Sequence, residues 1–322
     1  TTTPRTLPSN LALCVNPTID YVKIRVADTV YYMAEALVES VFAEVEGEHE
    51  ILQKLKGKEL EYREYEPLYP FAVGKINKKA FFVTCDDYVT TTDGTGIVHM
   101  APAFGEDDSR VCKKYDLPFV QFVDGKGNMT TDTDWPGVFV KDVDPLIIKD
   151  LKIKGLLFKA PVFEHSYPHC WRCDTPLIYY ARESWFIKMT DVKDELIANN
   201  NTVNWIPESI GKGRFGDWLE HVQDWGISRN RYWGTPLNIW ECECGHQHAI
   251  GSIEELKSMS DNCPEDIELH RPYIDAVTIK CPQCGKQMHR VPEVIDCWFD
   301  SGSMPFAQWH YPFENKDALD KG

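Results

Sequence analysis

The chain has 322 residues, 43% of them hydrophobic and 26% charged, which indicates a folded globular protein of about two domains and excludes a disordered one. Its 50 acidic residues exceed its 34 basic ones and give a net charge of −16, which argues against a protein whose main surface binds nucleic acid. No apolar run reaches the roughly 18 residues that cross a bilayer, and no signal-peptide pattern occurs, so we expect a cytoplasmic protein without a membrane partner.

The predicted elements are an irregular mixture of strands and helices. Short apolar runs predict strands, and apolar residues spaced three and four apart predict helices. Strands are expected over residues 11–15, 20–26, 81–83 and 119–123, and helices over residues 31–42, 51–60, 108–115, 143–151 and 191–199. Because these elements do not form regular βαβ units, they favour an α+β or barrel-like unit over residues 1–160.

Residues 94–108 form the stretch with the clearest chemical character, GTGIVHMAPAFGEDD. Two glycines would let the backbone approach a ligand closely, and the short strand that follows ends near His99. The acidic run that ends at Asp108 lies where a helix can begin. A histidine and a carboxylate placed in this way suit the binding of a cationic group beside a polarised carbonyl. The simpler alternative is helix capping by the acids and a hydrogen-bonded structural histidine.

Six of the 11 cysteines lie in close pairs, which in a chain without a secretory signal indicates metal binding in a reducing compartment. Two pairs, each followed by glycine, predict a closed tetrahedral zinc site of four thiolates, with His246 or His248 as substitutes for one ligand: Cys242, Cys244, Cys281 and Cys284. With every position filled, the zinc would be structural. The third pair, Cys170 and Cys173, offers two ligands only, so it needs partners from elsewhere or stays without metal.

Five motifs together resemble one family, the class I isoleucyl-tRNA synthetases. The first resembles the threonine-rich peptide of the editing site in that family, and the second resembles its other editing motif. The five motifs, in chain order, are TTTPRTLPSN at 1–10, GTGIVHMAPAFGEDD at 94–108, HCWRC at 169–173, WGISRNRYWGTP at 225–236 and DCWFDSG at 296–302.

The resemblance implies an α+β fold in which a β-barrel-like editing domain with surrounding helices precedes a partial class I core. The editing (proofreading) domain would cover residues 1–160, and a connector with the third cysteine pair would cover 161–190. The returning part of the catalytic core would cover 191–322, with a zinc-knuckle module inserted at about 240–292.

The resemblance also implies roles for individual residues. Asp108 would bind the α-amino group of a misacylated amino acid, and His99 would line the pocket for its side chain. Thr1 would contact the substrate, and Thr2 and Thr3 would also help to hold the hydrolytic water.

Further substrate contacts are implied at Arg5, Gly94, Thr95 and Gly96, and the two glycines would shape the wall where the tRNA 3′ end enters. The family has tryptophan where this sequence has Arg5. A long cation in place of an aromatic ring would change the shape and charge of the pocket.

The implied activity is that of an aminoacyl-tRNA deacylase within an aminoacyl-tRNA synthetase. It would hydrolyse Val-tRNA(Ile), and valyl-adenylate as a second substrate, with tRNA(Ile) as partner, structural Zn²⁺ and a monomeric state. One alternative is a zinc-containing tRNA-binding module without catalytic activity, and another is a metal-dependent hydrolase.

ATP is expected only in a full-length enzyme. The sequence has no HxGH signature, and Lys257 to Ser260 lacks the second lysine of KMSKS. Because the chain also begins without methionine, we expect it to be a piece of a longer protein.

Overall fold

The computed structural model describes residues 1–45, 49–162 and 166–320, which form two compact units, Thr1–Arg182 and Glu183–Gly322. The predicted division at residue 160, with a connector over 161–190, stays a prediction, and residues 163–165 of that connector lie outside the described residues. Within the described ranges no helix is both long and apolar enough to span a bilayer.

The first unit contains two three-stranded sheets. Its strands are β1 (Ala12–Val15), β2 (Asp20–Val26), β3 (Thr29–Ala34), β4 (His49–Lys56), β5 (Phe82–Cys85) and β6 (Ile97–Met100). In one sheet β1 lies between β5, which is parallel to it, and β6, which is antiparallel. In the other, β2 lies between β3 and β4, both antiparallel. Ala34 N, at the end of β3, donates to Thr95 O just before β6 at 2.8 Å and so joins the two sheets.

The helices of the first unit are α1 (Val38–Phe42), α2 (Glu106–Lys114) and α3 (Val140–Ile153). Short 3-10 turns cover Pro4–Ser9, Glu35–Leu37, Gly57–Leu60 and Pro70–Ala72. Helix α2 has three acids in its first turn and two lysines in its last, an arrangement that complements the helix dipole at both ends. Helix α3 ends before Gly155, whose φ of +69° is the left-handed conformation that commonly stops a helix.

The predicted α+β class is confirmed, but three of the predicted elements are wrong in whole or in part. Residues 31–34 of the helix expected over 31–42 belong to strand β3, and the helix expected over 51–60 is strand β4 followed by a 3-10 turn. Both strands pair with β2, so long-range pairing overrides their local spacing. The strand expected over 119–123 is absent from the described chain, where Val123 makes one isolated bridge to Met129.

A closed barrel does not form as a single hydrogen-bonded ring among the described strands of the first unit. The two sheets nevertheless share an apolar core, because Val15 and Cys85 from one sheet pack in a cluster with Tyr21, Ile24 and Met33 from the other. The opposite face of the β5-β1-β6 sheet packs on helix α2 through a second cluster, which includes Ala12, Phe82, Met100 and Val111. Strand β6 is therefore held between two cores.

The second unit has short strands and helices around a small sheet. Its strands are β7 (Phe186–Ile187), β8 (Trp225–Gly226), β9 (Ser228–Arg229), β10 (Ile239–Glu241), β11 (Gln247–Ala249), β12 (Ile279–Lys280), β13 (Gln287–Arg290) and β14 (Val294–Ile295). Its helices are α4 (Lys193–Asn200), α5 (Glu208–Lys212), α6 (Arg214–Glu220), α7 (Ile253–Met259), α8 (Cys297–Ala307) and α9 (Lys316–Asp320). Further 3-10 turns cover Met189–Val192 and Ile274–Ala276. The largest sheet has the order β11-β10-β13-β12, and its core contains Trp240, Ile279 and Met288.

Candidate functional site

The opening threonines and His99 are joined by a chain of hydrogen bonds. The ring nitrogen Nε2 of His99 lies 2.9 Å from Thr6 Oγ1, and Thr6 Oγ1 lies 3.1 Å from Thr3 Oγ1. Thr3 Oγ1 is in turn 3.1 Å from Thr1 Oγ1. The 3-10 turn Pro4–Ser9 brings Thr6 back beneath Thr3, where the Thr6 hydroxyl donates to Thr3 O at 2.8 Å. The predicted threonine peptide and the predicted histidine are therefore neighbours.

The surroundings of His99 favour the neutral form of its imidazole. Strand β6 places it opposite Leu13 of β1, and its Nδ1 lies 2.9 Å from the side-chain nitrogen of Asn10. Burial lowers the pKa of His99 to about 3, because a charged ring would lose its hydration there. His99 can thus act near neutral pH as a hydrogen-bonding group without a charge.

Asp108 lies in the first turn of α2, beside the end of the strand that carries His99. Its Oδ2 accepts a hydrogen bond from Ala101 N at 2.9 Å. Burial raises the pKa of the Asp108 carboxyl, the hydrogen bond from Ala101 opposes that rise, and the neighbouring Asp107 adds to it. Among the described residues Oδ1 of Asp108 has no hydrogen-bond partner, and none of the threonines forms a hydrogen bond with this side chain. One carboxylate oxygen of Asp108 is therefore without a hydrogen-bond partner among the described residues.

The loop before β6 is anchored at two of the three positions predicted to contact substrate. Thr95 O accepts from Ala34 N, and Gly96 O accepts from the Tyr21 hydroxyl at 2.6 Å. Gly96 is buried with φ +72°, and a Cβ there would lie 2.5 Å from the Cβ of Ala34. Gly94 has a similar φ of +70° but is exposed in open space. Gly96 thus fixes the close approach of the two sheets.

Arg5 attaches the threonine peptide to helix α3. Its backbone N and its guanidinium both donate to the carboxylate of Asp144, at 2.7 and 2.6 Å. The side chain of Arg5 is only 11% exposed. The predicted contact between Arg5 and substrate stays a prediction, while the observed bonds give Arg5 an anchoring role.

Three residues that the sequence reasoning did not single out complete the site: Thr6, Asn10 and Tyr65. Asn10 is buried and lies at the end of the threonine motif, and its Oδ1 accepts from the Tyr65 hydroxyl at 2.5 Å. A buried asparagine next to a strand is a signal only when its burial is known, because asparagine is ordinarily a surface or turn residue.

The four cysteines predicted as one metal site come together in the second unit. The sulfurs of Cys242, Cys244, Cys281 and Cys284 all lie within 4.8 Å of one another. The closest pairs are 3.4 Å apart (Cys242 with Cys284) and 3.7 Å apart (Cys244 with Cys281). A tetrahedron with Zn–S bonds of about 2.3 Å has edges of about 3.8 Å, so the spacing fits a thiolate-bound metal of that size.

Two tight turns hold these sulfurs. Gly245 and Gly285 donate backbone hydrogen bonds to Cys242 O and Cys281 O at 2.8 and 2.9 Å. Both glycines have positive φ, +85° and +73°, which other residues rarely adopt. Among the possible substitutes, His248 is committed to Glu255 at 3.0 Å.

The third cysteine pair lies in a similar turn, where Cys170 N donates to Thr175 O at 2.9 Å. The sulfur of Cys173 is 3.0 Å from the Thr175 hydroxyl. Within the described part of the chain no further histidine, cysteine or carboxylate joins these two thiols. Metal binding by Cys170 and Cys173 stays a prediction.

Comparison with known proteins gives consistent matches. Isoleucine–tRNA ligase of Clostridium novyi (strain NT) is 58% identical over 322 residues, 100% of this chain and 30% of that protein. Isoleucine–tRNA ligase of Bacillus thuringiensis (strain Al Hakam) is 51% identical over 324 aligned residues, 100% of this chain and 31% of that protein. The chain thus spans about a third of the length of these curated relatives.

Among solved structures, the P. knowlesi cytosolic leucyl-tRNA synthetase editing domain is 16% identical, with a TM-score of 0.35. The alignment covers 48% of this chain and 80% of that one, a likeness too weak to bear on fold or function. The family model for class I tRNA synthetases (I, L, M and V), by contrast, matches residues 25–322. By this match, and by the identity to isoleucine–tRNA ligases over its whole length, the chain belongs to the class I tRNA synthetases.

Proposed function

We propose that the first unit hydrolyses valine from misacylated tRNA(Ile) and so proofreads the product of an isoleucine–tRNA ligase. The observation that carries this proposal is a pair of features around the end of β6. His99 is linked to the opening threonines, and half-buried Asp108 is bonded to Ala101, two residues after His99, through one carboxylate oxygen and has no partner among the described residues for the other. The similarity to isoleucine–tRNA ligases supplies the substrate class. Valyl-adenylate, which carries the same valyl group, is a second substrate on this proposal.

Asp108 is proposed to hold the substrate by its ammonium group. An ion pair between Oδ1 and the α-amino group would fix the neighbouring ester carbonyl for attack. The uncharged ring of His99 is suited to this neighbourhood, because an imidazolium would repel the ammonium. The open oxygen of Asp108 and the neutral histidine thus favour the same ligand, a primary amine next to a carbonyl.

The proposed reaction is direct attack by water, without a covalent enzyme intermediate. The water oxygen forms a bond to the ester carbonyl carbon, the bond from that carbon to the ribose oxygen breaks, and one water proton goes to the ribose oxygen. Thr2 and Thr3 would hold the water, and Thr1, Thr95 and the backbone near Gly96 would contact the substrate. Such contacts accelerate hydrolysis to the extent that they bind the transition state more strongly than the ground state.

Selectivity is proposed to come from exclusion by size. A pocket built for isoleucine must admit valine, which lacks one methylene, and one methylene gives only about 1–3 kcal/mol of discrimination; the handling of valine by isoleucyl-tRNA synthetase is the standard illustration of this limit. A second pocket that admits valine and excludes isoleucine removes the error. His99 is proposed to form one wall of that second pocket.

The four-cysteine cluster is proposed to hold structural Zn²⁺. The closed thiolate set would bind the ion through Cys242, Cys244, Cys281 and Cys284, and would leave no position for a water ligand. The ion would supply folding energy to the β10–β13 sheet and no chemistry. The cytoplasmic location and monomeric state expected from the sequence stay predictions.

The test of the proposed function is Asp108→Asn in a deacylation assay with Val-tRNA(Ile). Asparagine keeps an oxygen for Ala101 N and removes the charge, so the melting temperature should stay within about 2 °C while hydrolysis falls at least about 100-fold. Asp107→Asn is the matched control, because Asp107 is the exposed neighbour in the same helical turn. Wild-type rates in Asp108→Asn would overturn the assignment.

The rival reading, a zinc-containing tRNA-binding module without catalysis, is favoured only by the cysteine cluster. It predicts that the chain binds tRNA(Ile) and leaves the ester bond of Val-tRNA(Ile) intact. The same assay therefore separates the two functions.

A further inference from the structure

Asn10, His99 and the threonines form a series of hydrogen bonds, and the geometry shows which group donates and which accepts in each of them. The starting point is the side-chain amide of Asn10, which is buried between β1 and β6. Its nitrogen lies 2.8 Å from Ala12 O and 3.4 Å from Met100 O, while its oxygen receives the hydroxyl of Tyr65 at 2.5 Å. The reverse orientation would direct the amide oxygen at two backbone carbonyls, so the nitrogen must face them.

This orientation determines the tautomer of His99. The same Asn10 nitrogen lies 2.9 Å from His99 Nδ1, and an amide nitrogen can only donate. His99 Nδ1 is therefore the acceptor, and in the neutral ring the proton lies on Nε2. That proton is donated to Thr6 Oγ1 at 2.9 Å.

The assignment of donors and acceptors extends into the threonine peptide. The hydroxyl hydrogen of Thr6 goes to Thr3 O at 2.8 Å, because a carbonyl can only accept. In the 3.1 Å hydrogen bond between Thr6 Oγ1 and Thr3 Oγ1, the hydroxyl of Thr3 must then be the donor. Thr3 Oγ1 therefore accepts the hydrogen bond from the hydroxyl of Thr1, at 3.1 Å. With its hydrogen directed inward, Thr3 Oγ1 presents a lone pair to any ligand.

We propose that Asn10 and Thr6 are positioning residues that hold His99 as the Nε2–H tautomer and make the threonine hydroxyls acceptors toward the hydrolytic water. This inference rests on the proposed function. A water that donates a hydrogen to Thr3 keeps its own lone pair free for the ester carbonyl carbon. The tautomer itself is a property of the chain alone and can be measured without substrate.

The first measurement is ¹⁵N NMR of the chain with labelled histidine at pH 7. The chain has ten histidines, so the His99 signals are identified by their loss in His99→Gln. We expect a protonated Nε2 and an unprotonated Nδ1. Tyr65→Phe should leave this pattern unchanged, because the backbone carbonyls still orient Asn10. A ring protonated at Nδ1, or at both nitrogens, would overturn the proposal.

The second measurement compares Thr6→Val with Thr6→Ser. Valine has the shape of threonine but ends the hydrogen-bonded chain at His99 Nε2, whereas serine keeps the hydroxyl. We expect Thr6→Val to lower kcat for Val-tRNA(Ile) about tenfold at similar KM and Thr6→Ser to stay near wild type. Both variants should keep the His99 tautomer.

These outcomes separate the proposed hydrogen-bond relay, which runs from Asn10 through His99 and Thr6 to Thr3, from the proposed function. Equal kcat in Thr6→Val and wild type would overturn the relay while the deacylase assignment stands. A wild-type chain that does not cleave Val-tRNA(Ile) would overturn the proposed function, and the NMR pattern would still decide whether His99 is the Nε2–H tautomer.

Discussion

His99 shows how much of a single residue's behaviour depends on neighbours that are distant in sequence. Its position on a short strand next to a glycine-rich loop is evident from the sequence, and strand β6 confirms it. Its low pKa comes from burial and from the positive charge of the Thr1 amino group, and its hydrogen-bond partners Asn10 and Thr6 lie 89 and 93 positions away. No local pattern contains that information, because partners are set by the pairing of β1 with β6.

The low pKa of His99 predicts a pH dependence of stability. The pKa is about 3 in the folded chain and about 6.5 in an unfolded one, so the unfolded state binds more protons between these values. The stability contributed by a neutral His99 is complete above about pH 6.5 and declines as the pH falls toward 3.

The check is urea unfolding at pH 7.5 and pH 5 for wild type and His99→Gln. Wild type should lose more free energy of unfolding between the two pH values than the variant does. Asp108, whose pKa is raised, titrates in both proteins and cancels in the comparison. Identical losses would contradict a buried neutral imidazole.

Arg5 is a second residue whose role the sequence could not determine. The resemblance places it in a pocket wall, whereas the structure binds its guanidinium and its backbone N to Asp144. A salt bridge between residues 139 positions apart leaves no mark in either local sequence. The opening peptide, with four threonines and two prolines in ten residues, forms a 3-10 turn and no α-helix.

At the scale of elements, prediction succeeds where local and long-range forces agree. Helices α2 and α3 carry their own signals, which are acids at the start of one and apolar residues at helical spacing in the other. Strand β4 carries no such signal. It lies at the edge of its sheet, and six of its eight residues are exposed, so period-two alternation is absent. Only pairing with β2, such as Leu55 with Tyr21, makes it a strand.

The close approach of the two sheets predicts that alanine substitutions at two glycines will destabilise the fold to different extents. Gly96→Ala combines a φ of +72° with a Cβ only 2.5 Å from the Cβ of Ala34, so the sheets must separate. Gly94→Ala has the same backbone strain in open space. We expect about 1 kcal/mol of destabilisation for Gly94→Ala and at least about 3 kcal/mol for Gly96→Ala, measured by urea unfolding. Equal destabilisation by the two substitutions would contradict the role of Gly96 in the close approach of the two sheets.

At the scale of the molecule, the two units have separate cores and separate candidate sites. The first contains the threonine peptide, His99 and Asp108, and the second contains the cysteine cluster. The cysteine spacing predicted this cluster correctly, because two turns with glycine at positive φ impose the geometry locally. Pairing of the two turns still depends on the antiparallel contact of β10 with β13.

Metal removal should therefore affect one unit only. We expect about one zinc per chain in wild type and loss of zinc in Cys281→Ser. Cys263→Ser is the control and should keep its zinc, because Cys263 is in the same module but outside the cluster. Chelation should raise amide hydrogen exchange over residues 240–290 and leave residues 1–182 unchanged. Hydrolysis of Val-tRNA(Ile) should continue, and immediate loss of turnover on chelation would instead indicate a metal-dependent hydrolase.

The most direct test of the central claim is the rate at which the chain deacylates Val-tRNA(Ile) and Ile-tRNA(Ile), measured side by side. A chamber that excludes isoleucine by size should hydrolyse the valyl ester at least about tenfold faster. Equal rates for the two esters, or no hydrolysis of either, would contradict the account.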